Sequence, residues 1–124
     1  MPTLQTHPKT TPEEVLQHLA ACCRALEEKK AEDLAVLDMR GTFDITDYFL
    51  LTTGTSEPHL RALFKEMDAV LTEFGYEIPS KVKDHYTGWV VVDAIDFVIH
   101  IFSKEQREFY NLERLWKDCP RLEV

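Results

Sequence analysis

The chain has 124 residues, 44% of them hydrophobic, and a formal charge of −8 from 22 acidic against 14 basic residues. That length builds one core and is too short to divide comfortably into two, so residues 1–124 read as a single domain. The acidic balance argues against direct nucleic-acid binding, which needs a basic face, and suits recognition of a basic protein. No run approaches the roughly 18 consecutive apolar residues of a membrane span. The polar segment Met1 to Thr11 lacks the apolar stretch of a secretory signal, so the expectation is a cytoplasmic protein with a flexible N-terminus over residues 1–11.

In chain order, Thr11-Pro12-Glu13-Glu14 opens a helix through a capping box with proline at the first helical position. Val15, Leu16, Leu19, Cys22, Cys23 and Leu26 recur at helical spacing behind it. Leu34 to Leu37 is a short apolar strand, Asp38 to Asp44 supplies a turn around Gly41, and Thr46 to Thr52 is a second strand. Thr53-Gly54-Thr55-Ser56 ends that strand and caps a second helix, whose apolar face runs from Leu60 to Phe74 before Gly75 stops it. Tyr76 to Gly88, with Pro79, reads as a loop or short edge strand. Trp89 to Asp93 and Phe97 to Phe102 are β-prone runs joined by three residues, an antiparallel hairpin. Ser103-Lys104-Glu105-Gln106 begins a last helix that ends near Cys119-Pro120. This alternation predicts an α/β (α+β) domain with a mixed sheet flanked by helices.

The chain offers little for catalysis. Glycine and hydroxyls at Gly54-Thr55-Ser56 stand between a strand and a helix N-terminus, where backbone N–H groups cradle phosphate in some folds. A tight turn with a helix cap is the stronger reading, since neither a Walker-type lysine nor a G-x-G-x-x-G follows. Nucleotidyltransferase chemistry needs paired strand carboxylates for two metal ions. Asp93 and Asp96 flank a hairpin turn instead of projecting from one strand face, and Asp44 and Asp47 are likewise badly spaced. The three cysteines, Cys22, Cys23 and Cys119, fit reduced thiols better than a disulfide framework, and with the five histidines they form no metal-ligand spacing. No catalytic, cofactor or metal residue is therefore assigned. His100 shares a strand face with Val98 and Phe102, which suits a half-buried hydrogen-bonding or interface residue better than a general base.

Several motifs in combination carry a resemblance: Lys29-Lys30-Ala31-Glu32-Asp33, Ile45-Thr46-Asp47-Tyr48-Phe49 with Thr53-Gly54-Thr55-Ser56, Trp89 to Asp93, Val98 to Phe102, and Arg107 to Trp116. From Ala25 to Trp116 the chain resembles the ribosomal silencing factor (Iojap-like) family. The resemblance implies a nucleotidyltransferase-like fold without catalytic carboxylates. It also implies a translational repressor that binds the fourteenth protein of the large ribosomal subunit and sterically blocks joining of the small subunit when nutrients are scarce. A homodimer in the free state goes with that picture. Carried over by position, it marks Trp89, Asp93, His100, Phe102 and Tyr110 as the ribosomal-protein surface, with Leu112 and Trp116 in the supporting core. The chain departs from the family pattern in two places. Val82-Lys83-Asp84-His85 replaces a Glu-Gly pair before the tryptophan, and Ile95 replaces a hairpin glycine, which predicts a different turn because isoleucine disfavours positive φ. The alternative function is a metal-dependent nucleotidyl- or phosphate-transfer enzyme using the Gly54-Thr55-Ser56 turn.

Overall fold

The computed structural model describes residues 11–40, 46–77, 88–110, 114, 117 and 119–124, with Tyr110 described as backbone only. Helix α1 (Pro12–Glu28) starts where the capping box predicts. The Thr11 hydroxyl accepts from the Glu14 amide at 3.2 Å, and the Glu14 carboxylate accepts from the Thr11 amide at 3.0 Å. Such a pair is worth about 1 kcal/mol. Thr11 thus caps α1 as part of the folded domain. At the other end Lys30 turns left-handed, with φ of 67°. Its amide donates to the Glu27 carbonyl and the Ala31 amide to the Leu26 carbonyl, the paired closure that normally employs glycine. Helix α2 (Glu57–Glu73) begins at the predicted Ser56 cap and closes in the same way around Gly75, φ 96°.

Among the described residues, five strands form one sheet in the order β3-β4-β2-β1-β5. They are β1 (Glu32–Asp38), β2 (Tyr48–Gly54), β3 (Trp89–Asp93), β4 (Phe97–Ser103) and β5 (Arg121–Leu122), with helix α3 (Lys104–Tyr110) following β4 directly. The central pair, β2 and β4, is parallel, and the other pairings are antiparallel. The α+β mixed sheet is as predicted, and the β3–β4 hairpin pairs as expected. The first two strands are longer or later than hydrophobicity marked. Glu32 and Asp33 join β1 through an irregularity before Ala35, with Asp33 at φ 52°, and β2 continues through Thr53 to Gly54. β5 was not anticipated: two residues are too few for a period, and pairing with β1 creates the strand.

Alternation along the strands sends side chains into two separate clusters. On one face, Val36, Leu50, Val90, Val92, Ile99 and Ile101 pack with the apolar stripes of α1 and α2 in the main core. On the other, Leu37, Met39, Leu51, Phe102 and Cys119 form a smaller cluster, with Phe49 and Trp89 packed at its margin. Burial raises the Cys22 thiol to about 12 and that of Cys23 to about 11, so both stay protonated and inert.

The hairpin turn corrects the expectation for Ile95. It keeps the left-handed conformation, φ 71°, despite the β-branched side chain. The Asp96 amide donates to the Ala94 carbonyl at 2.7 Å, closing a three-residue γ-turn on Ile95. The Ile95 amide donates to Asp93 Oδ1 at 2.8 Å, and the Ile95 carbonyl accepts from the Thr46 hydroxyl at 3.1 Å. These contacts hold a conformation that costs an L-residue about 1–2 kcal/mol. Lys30→Gly and Ile95→Gly each remove such strain. Each variant is expected to gain about 1 kcal/mol, seen as a rise of roughly 3–6 °C in the thermal midpoint; an unchanged or lower midpoint contradicts the strain.

Candidate partner-binding face

The residues Trp89, Val91, Asp93, Val98, His100 and Phe102 lie on one side of the β3–β4 hairpin, set opposite one another by register: Trp89 against Phe102, Val91 against His100, Asp93 against Val98. This side is the face of the smaller cluster. Trp89 stacks on Phe102 with ring centroids 5.2 Å apart, His100 lies parallel to Phe102 at 5.9 Å, and Phe49 of β2 meets His100 edge-on at 4.6 Å. Trp89, Phe49 and His100 are half-buried, while Val91 is 38% exposed and Ile95, at the hairpin tip, 49%. Aromatic groups with one side packed and one side open are the common anchors of protein interfaces.

The Trp89 indole N–H donates to His100 Nδ1 at 3.2 Å. An indole nitrogen only donates, so Nδ1 must accept and the neutral imidazole carries its proton on Nε2. Nε2 is buried and meets no hydrogen-bond partner among the described residues. Burial pushes the His100 pKa from 6.5 down to about 4, and the indole bond acts in the same direction, because an imidazolium would turn two donors toward each other.

The positions marked by resemblance do not share one environment. Trp89 and His100 stand together on this face. Asp93 is exposed at the hairpin end, with Oδ1 engaged by the Ile95 amide. Phe102 is 0% exposed and lies beneath the aromatic layer. It is buried there in the cluster with Leu37, Met39, Leu51 and Cys119. The Tyr110 side chain, Leu112, Trp116 and the Val82 to His85 segment lie outside the described residues.

At the C-terminal ends of the parallel strands, Gly54 to Glu57, Leu60, Gly88 and Ser103 to Gln106 line a cleft of about 460 Å³. Its serine hydroxyls serve the backbone. Ser56 Oγ accepts from the His59 amide at 3.2 Å and Ser103 Oγ from the Gln106 amide at 3.2 Å. His59 Nδ1 accepts from the Thr55 amide at 3.0 Å, and Nε2–H donates to the Lys29 carbonyl at 2.7 Å. The Gly54-Thr55-Ser56 turn thus works as a turn and cap, with His59 tying it to the end of α1. Among the described residues, no three His, Cys, Asp or Glu side chains converge as a metal site would require.

Sequence reasoning missed three side chains that organise this region. His59 is one. Arg107, only 4% exposed, donates from one guanidinium nitrogen to the Asp33 carbonyl at 2.7 Å and the Thr53 hydroxyl at 2.8 Å, fastening α3 to β1 and β2. His18 bonds the Tyr76 hydroxyl at 2.7 Å and stacks on Phe74 at 4.0 Å, joining α1 to the end of α2; its pKa is lowered by burial. All three bridge elements distant in sequence, so no local pattern marks them.

The fold is an α+β domain with an aromatic face on its β3–β4 hairpin and with hydroxyl caps at its strand-to-helix turns. The model of the family "Ribosomal silencing factor during starvation" matches residues 12–124. The chain is 39% identical over 106 residues to the ribosomal silencing factor RsfS of Halalkalibacterium halodurans, covering 86% of this chain and 91% of the relative. It is 38% identical to that of Bacillus subtilis over the same length, covering 87% of that protein. A crystal structure from Bacillus halodurans superposes with a TM-score of 0.73 at 37% identity, covering 90% of this chain and 99% of that one. The chain belongs to the ribosomal silencing factor family. Its relatives carry the name of a regulator of the ribosome and not of an enzyme.

His100 gives this face a pH signature. The folded state holds the imidazole neutral, whereas the unfolded chain takes up a proton near 6.5, so stability is fully present above that pH and falls as the pH drops toward 4. On the order of 2 kcal/mol is lost between pH 7 and pH 5. Thermal unfolding at both values, compared with His100→Gln, is expected to show a markedly smaller acid loss in the variant; equal losses place the acid sensitivity elsewhere.

Proposed function

We propose that this protein is a translational repressor acting in the cytoplasm: it binds the fourteenth protein of the large ribosomal subunit, at the joining face, and keeps the small subunit from docking. Membership of the ribosomal silencing factor family over residues 12–124 is the observation that carries this reading. The mechanism is steric. Two bodies that need the same surface exclude each other, so occupancy of free large subunits is sufficient and no turnover is involved. The contact surface is built from Trp89, Asp93, His100 and Tyr110, with Phe102 beneath it. The exposed apolar patch around Val91 and Ile95 supports this assignment, and the charge of −8 suits a basic ribosomal protein. In the free state two copies associate as a homodimer.

Sedimentation of purified bacterial small and large subunits with this protein tests the reading. The protein is expected to travel with the large subunit and to lower joining in a stoichiometric manner. Trp89→Ala is expected to weaken large-subunit binding at least tenfold, which corresponds to about 1.4 kcal/mol or more. Binding that leaves joining intact removes the steric mechanism, and absence of binding removes the ribosomal partner. Raising salt from low to physiological strength is expected to weaken binding, and salt-independent affinity contradicts the electrostatic contribution.

A further inference from the structure

A buried donor without an acceptor is a standing cost to a fold, and native structures keep few of them without a reason. His100 carries one on the proposed contact face. Its Nδ1 is occupied by the Trp89 indole N–H, which forces the proton onto Nε2, and Nε2 finds no partner among the described residues. An apolar ring at this position would keep the contacts with Phe49 and Phe102 and avoid that cost, so packing alone does not account for a histidine.

We infer that His100 is a specificity-determining hydrogen-bond donor for the partner: its Nε2–H, held in place by Trp89, is completed by a carbonyl or hydroxyl oxygen of the docked ribosomal protein. This rests on the binding role proposed above and names the chemistry of that contact. Among the described residues, the ring's neighbours on this face include the side chains of Phe49 and Val91. Phe49 lies edge-on at 4.6 Å, and Val91, 38% exposed, stands directly across the ladder. Rotation of a side chain therefore opens Nε2 without disturbing the strand pairing. A fixed donor rejects lysine and arginine and selects an oxygen; attraction of the partner's positive charge is left to carboxylates such as Asp93 at the hairpin end. The sealed site makes the contact selective, because a partner that lacks the acceptor leaves the donor unpaired at the interface.

The test separates folding from recognition. His100→Phe is expected to unfold at a higher temperature than the wild type, or at the same one, yet to bind purified large ribosomal subunits at least tenfold more weakly. His100→Gln, which keeps an N–H at the end of the side chain, is expected to lose less than His100→Phe. In the wild-type protein labelled with ¹⁵N, the Nε2–H proton resonance is expected to shift and to exchange more slowly with solvent when the isolated fourteenth large-subunit protein is added. If the wild type binds large subunits and folded His100→Phe binds equally well, the donor role is overturned while the binding reading stands. An unmoved Nε2–H resonance in a complex that does form overturns it independently, whatever the stability of the variants. If the wild type itself does not bind, the ribosomal reading fails and this inference fails with it.

Discussion

Strand β4 is hydrogen-bonded along both edges, parallel to β2 and antiparallel to β3, and packed on both faces. A strand in that position has to satisfy two cores at once. Phe97, Ile99 and Ile101 face the helices α1 and α2, while Val98, His100 and Phe102 face the other way. One-residue slippage would exchange the two sets and place the imidazole in the main core. The parallel register with β2 and the γ-turn at Ile95 prevent that, so the strain at Ile95 acts in the service of β4.

The consequence for function is positional. A hairpin whose inner face is committed to the core can only offer its outer face, and β3 lies at the sheet edge, so Val91 and Trp89 reach solvent while Val90 and Val92 do not. Phe102, on the same face of β4 as His100, is buried in the cluster with Leu37, Met39, Leu51 and Cys119, while α3 follows β4 without a linker. Arg107 fixes that helix. Its guanidinium binds the carbonyl of Asp33, a residue in left-handed conformation, and so links the irregular start of β1 to α3. Helix position, strand irregularity and the aromatic layer are thereby coupled through one buried cation.

The strand-to-helix turns illustrate how one local pattern serves unrelated ends. Glycine and hydroxyls at the end of a parallel strand are the raw material of a phosphate cradle. Here the hydroxyls of Ser56 and Ser103 cap their own helices, and the Thr55 amide is taken by His59. The free amides that a cradle needs are thus partly spent before any ligand arrives, and the cleft also carries Glu57 and Glu105, which oppose an anion.

Local chemistry written in the sequence decided the helix starts, the stop at Gly75, the hairpin and the division of apolar residues between faces, because caps, turns and two simple periods act over a few residues. The motif combination likewise reached the family, and the family model over residues 12–124 agrees with it. Only tertiary structure could decide the rest. β5 exists through its pairing with β1; Ile95 holds positive φ because distant Thr46 helps to grip its carbonyl; Phe102 is buried by Leu37, Met39, Leu51 and Cys119 from other parts of the chain. The tautomer of His100 depends on an indole eleven residues away across the ladder. Each of these is set by a partner outside the local window, where loop closure and packing, and not residue preference, determine the energy.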